Sequence, residues 1–250
     1  MKVQVAAFVL FATTSLATPP PEITFTFDCS KPNGKGARET CNTMCFGLKC
    51  HNIPNYFNFD DPDQETKDER REKAGCGRNN RCSKDPYGSG FECDEFPFAM
   101  SSQGSAGGQI NRCVPDQPDH KSQGAQILQI QTNKKYCNKR PGCVFHLSFT
   151  NEGDYKYCKK DPDCTPDDNL YTKDGPITSG VARRASEGGR YMLASGKTIF
   201  SPSDLKIGTL SLRHEAANVT LERELMARGI FDDEYDNNME IVEDEVIAKL

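Results

Sequence analysis

The chain has 250 residues, enough for one or two modest domains, with 36% hydrophobic residues and no tryptophan. Burial alone is therefore a weak source of stability, and after the first residues no segment approaches the roughly 20 consecutive apolar residues of a membrane-spanning helix. The net charge of −5 hides a split. Residues 18–160 carry 20 cations and 18 anions, whereas residues 161–250 carry 10 and 18. The first part is mildly basic and the tail is strongly acidic.

In chain order, residues 1–17 read as a secretory signal peptide: Met1-Lys2, an apolar run from Val5 to Ala12, and the small-x-small site Ser15-Leu16-Ala17. The mature chain is expected to begin near Thr18 and to be exported, with no membrane association after signal removal. Twelve cysteines follow, at Cys29, Cys41, Cys45, Cys50, Cys76, Cys82, Cys93, Cys113, Cys137, Cys143, Cys158 and Cys164. An even number in an exported chain implies a disulfide framework, of undetermined pairing, worth about 2–4 kcal/mol per bridge. Cys41, Cys45 and Cys50 have vaguely zinc-like spacing, but no Cys-x2-Cys pair is present and oxidation is the default in that compartment.

Ile23 to Phe27 alternates as a strand does. Residues 29–50 read as a cysteine-dense loop region. Residues 60–73 are almost all polar or charged and read as an exposed helix or a solvated insertion. Gly90 to Met100 suits a strand ending near Pro97. Gly104 to Gly108 is a glycine-rich turn, Gln109 to Val114 a second strand, and Pro115 to His120 a polar loop. Ser122 to Tyr136 reads as a helix with Ser122 as N-cap. Cys143 to Phe149 alternates again, with Phe145, Leu147 and Phe149 on one face.

Beyond Cys164 the chain changes character. Residues 165–213 have weak periodicity, and Arg183-Arg184 is a dibasic pair. Ala216 to Arg228 reads as an amphipathic helix, and Phe231 to Leu250 as an acidic, mobile tail. Asn218-Val219-Thr220 is an N-glycosylation sequon. The domain expectation is a signal at 1–17, a disulfide-rich unit at 18–164, and an acidic, partly disordered extension at 165–250.

Chemistry concentrates at Cys93-Asp94-Glu95-Phe96-Pro97-Phe98-Ala99. Two acids flush against an apolar run need a partner, because an unpaired charge is costly to desolvate. A hairpin followed by a helix brings Asp94 and Glu95 towards His120, Gln123 and Gln126. Such donors suit a divalent metal, Mg²⁺ or Mn²⁺ before Ca²⁺. The helix start offers N–H groups to a phosphate, and Arg112 on the second strand offers a charge for a transition state. Lys134 and Lys135, with Lys139 and Arg140, form a basic cluster able to track a nucleic-acid backbone.

The blocks CDEFPFA, SSQGSAGGQINRCVP and DHKSQGAQI resemble the secreted NucA/NucB deoxyribonuclease family in its cysteine-rich fungal form. The resemblance spans residues 24–150, most specifically 91–127. It implies an α+β fold, a small ββα-metal nuclease of the His-Me-finger type. It also implies a divalent-metal-dependent endonuclease acting on DNA. The family's general base falls on Asp94, with Glu95 as ligand or orienting group and metal or metal-water contacts at the helix start, on Gln126 and Gln123. The residues' own chemistry and placement add Arg112 as an assisting charge, His120 as a metal contact, and Gln123, Lys134 and Lys135 as substrate contacts. Fungal members tend to have Glu-Asn before the Gln-Gly pair, and this chain has Asp119-His120. That departure keeps open a second reading, a catalytically altered secreted interaction protein or toxin module on a nuclease scaffold. A third is a ribonuclease, since no residue here reads sugar identity. Oligomeric state is not legible.

Overall fold

The computed structural model describes residues 23–29, 37–137, 139, 141–150, 155–180, 188–217, 221 and 239–250. The expected signal segment, Arg140, the Arg183-Arg184 pair, the Asn218 sequon and most of the helix expected at 216–228 lie outside them.

Eleven strands and three α-helices are described. Strand β1 (Ile23–Asp28) pairs in parallel with both β5 (Cys143–Thr150) and β10 (Leu210–Ala216). Strand β11 (Met239–Lys249) runs antiparallel between β10 and β8 (Gly189–Leu193). Strand β8 pairs with β9 (Thr198–Ser201), and β9 returns to β5. The circle β1-β10-β11-β8-β9-β5 thus closes on itself, removing free edges within it. The short β2 (Phe57–Phe59) adds to β5 alongside. A second, four-stranded sheet joins β3 (Phe91–Phe96) to β4 (Ile110–Pro115), followed by β6 (Tyr171–Thr172) and β7 (Gly175–Pro176).

Strand β1 shows why the barrel closes where it does. Phe25 and Phe27 enter the apolar core. Thr26, on the other face, bonds Ser148 Oγ at 2.6 Å and Ser211 Oγ at 2.7 Å, joining three strands through buried hydroxyls. Those bonds satisfy polar groups that would otherwise be costly inside.

The fold is α+β and disulfide-rich, but not the ββα-metal finger expected. The hairpin β3–β4 and the later helix α3 (Lys121–Thr132) follow the expected order. They are mounted on a six-stranded barrel that the finger topology does not contain.

Two further expectations are corrected. Residues 38–50 are not loop but helix α1 (Arg38–Cys50), buried at nearly every position. A spacing of four between Cys41 and Cys45 is one helical turn, which aligns them on a face. The extension after residue 164 is not mainly irregular or helical, because four of the six barrel strands come from it. Its acidic end is strand β11. Glu243, Glu245 and Ile247 face outward while Asp244 and Val246 are buried. The one inward acid, Asp244, pairs with Arg213 at 2.9 Å.

All twelve cysteines are paired, so the zinc spacing at Cys41, Cys45 and Cys50 is occupied by disulfides. The bridges are Cys29–Cys41, Cys45–Cys158, Cys50–Cys164, Cys76–Cys93, Cys82–Cys113 and Cys137–Cys143. Three of them leave from α1. Among the described residues no helix is long and apolar enough to cross a membrane.

A chain ended after Ala182 loses β8 to β11, and β1 is left without its β10 neighbour. It is expected to show no cooperative melting transition, measured by circular dichroism. A truncated chain that melts cooperatively near the full-length temperature would contradict this topology.

Candidate active site

Asp94 and Glu95 are successive residues of β3, so they point to opposite faces of the hairpin. Asp94 lies across from Arg112, and Glu95 across from Asn111. The Asp94 face meets α1. There Gly47 lets the Phe96 ring lie so close that a methyl at that position would stand 2.5 Å from it. The Glu95 face meets helix α2 (Gln64–Ala74), and Cys93–Cys76 fastens that helix to β3.

Asp94 is about 1% exposed. Burial pushes its carboxyl well above the ordinary range, the neighbouring Glu95 adds to that, and Gln123 and Thr43 oppose it. Those two side chains lie close enough to favour the charged form. Even so, Asp94 Oδ2 and Gln123 Nε2 both lack a hydrogen bond of ordinary geometry. A buried carboxyl oxygen without a partner must carry a proton or meet a cation. Glu95 is raised to about 7, again by burial first, against the pull of Arg71 and of the Ala99 N–H. Ala99 N donates to Glu95 Oε1 at 3.4 Å, and Arg71 Nε stands 3.8 Å from the same oxygen.

The remaining predicted residues divide. Gln123, on the first turn of α3, joins Asp94. Gln126 is one turn further, and its Oε1 accepts the Asp28 N–H at 3.1 Å while its Nε2 donates to Ser122 Oγ at 3.3 Å, bracing α3 on β1. Ser122 is therefore inside the helix and not its N-cap; His120 holds that position and makes no side-chain cap bond. Burial, with some help from Arg71, lowers the His120 pKa from its ordinary value, although Glu92 and Asp116 pull it upward. Arg112 is caged: its guanidinium meets Glu39 and Asp167 at 2.8 Å each. Lys135 and the Tyr136 hydroxyl both bond Glu243 of β11. Lys134 and Lys135 follow the far end of α3, on the order of 15 Å from Gln123 at 1.5 Å per residue.

Asp119, where the sequence departs from the expected pattern, has a defined use. Its two carboxyl oxygens accept the Glu39 and Thr40 N–H groups at 2.9 Å each. It caps α1 from another part of the chain, supplying the negative end that a helix N-terminus favours. Burial nevertheless raises its pKa to about 6, against those bonds.

Sequence reading missed Arg70. It is buried within the segment read as solvated, and it donates to Asp60 and to the Ala99 and Ser101 carbonyls at 2.8, 3.0 and 3.0 Å. Its Nε donates to Ser105 Oγ. One side chain thus clamps α2 to the turn that follows the acidic pair. The signal available was only a cation one turn from the end of a polar helix.

Among the described residues, no three His, Cys, Asp or Glu side chains gather as a metal cage. A hard ion such as Mg²⁺ is commonly held by one or two carboxylates and several waters. The donors present, an orphaned Asp94 oxygen on one face of the hairpin and Glu95 on the other, offer single carboxylates, which fit that sparse mode and not a closed cage. A cleft of about 550 Å³ elsewhere contains Asp167, Asp168 and Tyr171 but neither acid of the pair.

Residues 44–140 match the deoxyribonuclease NucA/NucB family, which supports membership of that segment in this nuclease family. The matched region contains Asp94, Glu95, Arg112, His120, Gln123 and Gln126. No curated protein and no solved structure matches the chain.

Raised carboxyl pKa values make stability depend on pH. For Glu95 and Asp119 this stability is full below their unfolded values near 4 and is lost as pH rises through about 7 and about 6. At about 1.4 kcal/mol per tenfold change, each contributes on the order of 3 kcal/mol. The partly buried His51 and His120, with lowered values, act in the opposite sense. The chelated protein is expected to melt at least about 5 °C lower at pH 8 than at pH 5. Asp94→Asn should shrink that difference and raise the melting temperature at pH 8. Melting that is independent of pH in both proteins would refute the buried-acid account.

Proposed function

We propose that this protein is an exported endonuclease that hydrolyses phosphodiester bonds of DNA with a divalent metal, Mg²⁺ or Mn²⁺. The observation that carries this reading is the buried, hydrogen-bond-deficient Asp94 beside Glu95, within the segment similar to the nuclease family. A carboxyl so placed is a strong base once ionised, and a purely structural acid would be fully bonded.

In this reading Asp94 takes the proton of the attacking water. The water oxygen bonds to phosphorus, the phosphorus–oxygen bond to one nucleoside breaks, and the departing oxygen regains a proton from solvent. Gln123 orients Asp94 and the water. Glu95, close to half-ionised at neutral pH, sets the charge of the site. When bound, a divalent cation supplies stabilisation of the charge that builds on the phosphoryl oxygens. In this reading Glu95 and His120 would hold it, and Asp94 stays free to act as the base. Arg112 supports the site from its ion pairs with Glu39 and Asp167. Lys134 lies where a longer stretch of backbone would pass.

A second reading, a non-catalytic secreted module on a nuclease scaffold, draws on the absence of a three-residue metal cluster among the described residues. Plasmid DNA and RNA, each with Mg²⁺, with Mn²⁺ and with chelator, separate the two. Metal-dependent cleavage of DNA is expected, and Asp94→Asn should slow it by about 100-fold or more, the usual scale for a general base. Lack of metal-dependent cleavage by the folded protein would favour the module. Cleavage confined to RNA would reassign the substrate, and full activity of Asp94→Asn would remove the proposed base.

A further inference from the structure

A phosphodiester approaching two acids needs a cation to meet its non-bridging oxygens. Arg112 cannot turn to that task without breaking two ion pairs of 2.8 Å, and its side chain is only 9% exposed. Arg71 is placed differently. It forms the only ion pair made by either acid of the pair among the described residues, at a loose 3.8 Å from Glu95, and its side chain is 41% exposed. Its other contact is an exposed one to Asp68, 3.1 Å away and three residues earlier on the helix.

Helix α2 is fixed firmly enough to aim it. Arg70, the preceding residue, ties the helix to Asp60 and to the carbonyls of Ala99 and Ser101. Beyond the left-handed Gly75, the Cys76–Cys93 bridge anchors the chain one residue before Asp94. The helix that carries Arg71 is thus held on two sides, while the guanidinium's long contact to Glu95 is weak enough to exchange. A planar fork of N–H donors suits two phosphate oxygens at once.

We propose that Arg71 is the residue that contacts a phosphate group of a nucleic acid on the Glu95 face of the β3–β4 hairpin. This rests on the nuclease reading and adds to it a substrate contact from the helix that looked like solvated surface. No bond is made or broken by Arg71. It exchanges a loose carboxylate contact for a phosphate one.

The test compares Arg71→Gln and Arg71→Lys with Lys67→Gln, which removes the same charge one turn away. Melting curves confirm that each variant is folded. A labelled DNA duplex is bound in chelator across a salt series, and cleavage is followed in Mg²⁺ under single-turnover conditions. Arg71→Gln should lower the saturating cleavage rate at least tenfold, with Arg71→Lys intermediate and Lys67→Gln within about twofold. Arg71→Gln should also reduce the slope of log affinity against log salt by about one, the loss of one phosphate contact. If Arg71→Gln and Lys67→Gln behave alike in both assays, the inference is overturned. If the wild type fails to cleave while the salt slope still falls only for Arg71→Gln, the nuclease reading fails and the phosphate contact stands.

Discussion

The position of helix α1 governs the rest of this molecule. It is a polar-looking, cysteine-bearing segment made into a buried helix by constraints from outside itself. Three disulfides hold it to Cys29, just after β1, and to residues 158 and 164. Asp119 supplies the cap that its own Ala37 cannot. In return α1 presents Glu39 to Arg112, Thr43 to Asp94, and the bare backbone of Gly47 to the Phe96 ring. A small apolar content suffices because two of these bridges close loops of more than 100 residues, where cross-linking removes the most chain entropy.

The same arrangement accounts for the chemistry at β3. The strand must bury Phe96 against α1, and it takes Asp94 with it to the same face. Glu95, one residue on, goes to the other face and meets α2. Burial therefore raises both carboxyls by a common cause while giving them different neighbours. Asp94 is left with an unbonded oxygen, and Glu95 with a loose arginine. An interior that would be more stable with bonded groups keeps instead a pair of acids whose pKa values burial raises.

The strand pattern around this site was legible in the sequence because it is local. Ile23 to Phe27 and Cys143 to Phe149 alternate, Gly90 to Met100 and Gln109 to Val114 suit strands between turn signals, and all four stand within a few residues of their true bounds. What was not legible depends on distant partners. The caps and bridges of α1 come from residues far along the chain. Strand β11 looked like a solvated tail because Glu240, Glu243 and Glu245 dominate its composition. Its inward positions, Asp244 and Val246, make sense only once Arg213 and the barrel are present. Arg70 and Arg71 were hidden for the opposite reason. In a helix this polar, nothing local distinguishes a buried clamp or a half-exposed cation beside Glu95 from ordinary surface charge.

Calorimetric titration of Mn²⁺ into the protein at pH 6.5, repeated in buffers of different ionisation enthalpy, counts the protons released on binding. A cation that meets buried, proton-bearing acids should displace about one proton per site, and Asp94→Asn should lower that number. Binding without proton release, or release that Asp94→Asn leaves unchanged, would contradict the account.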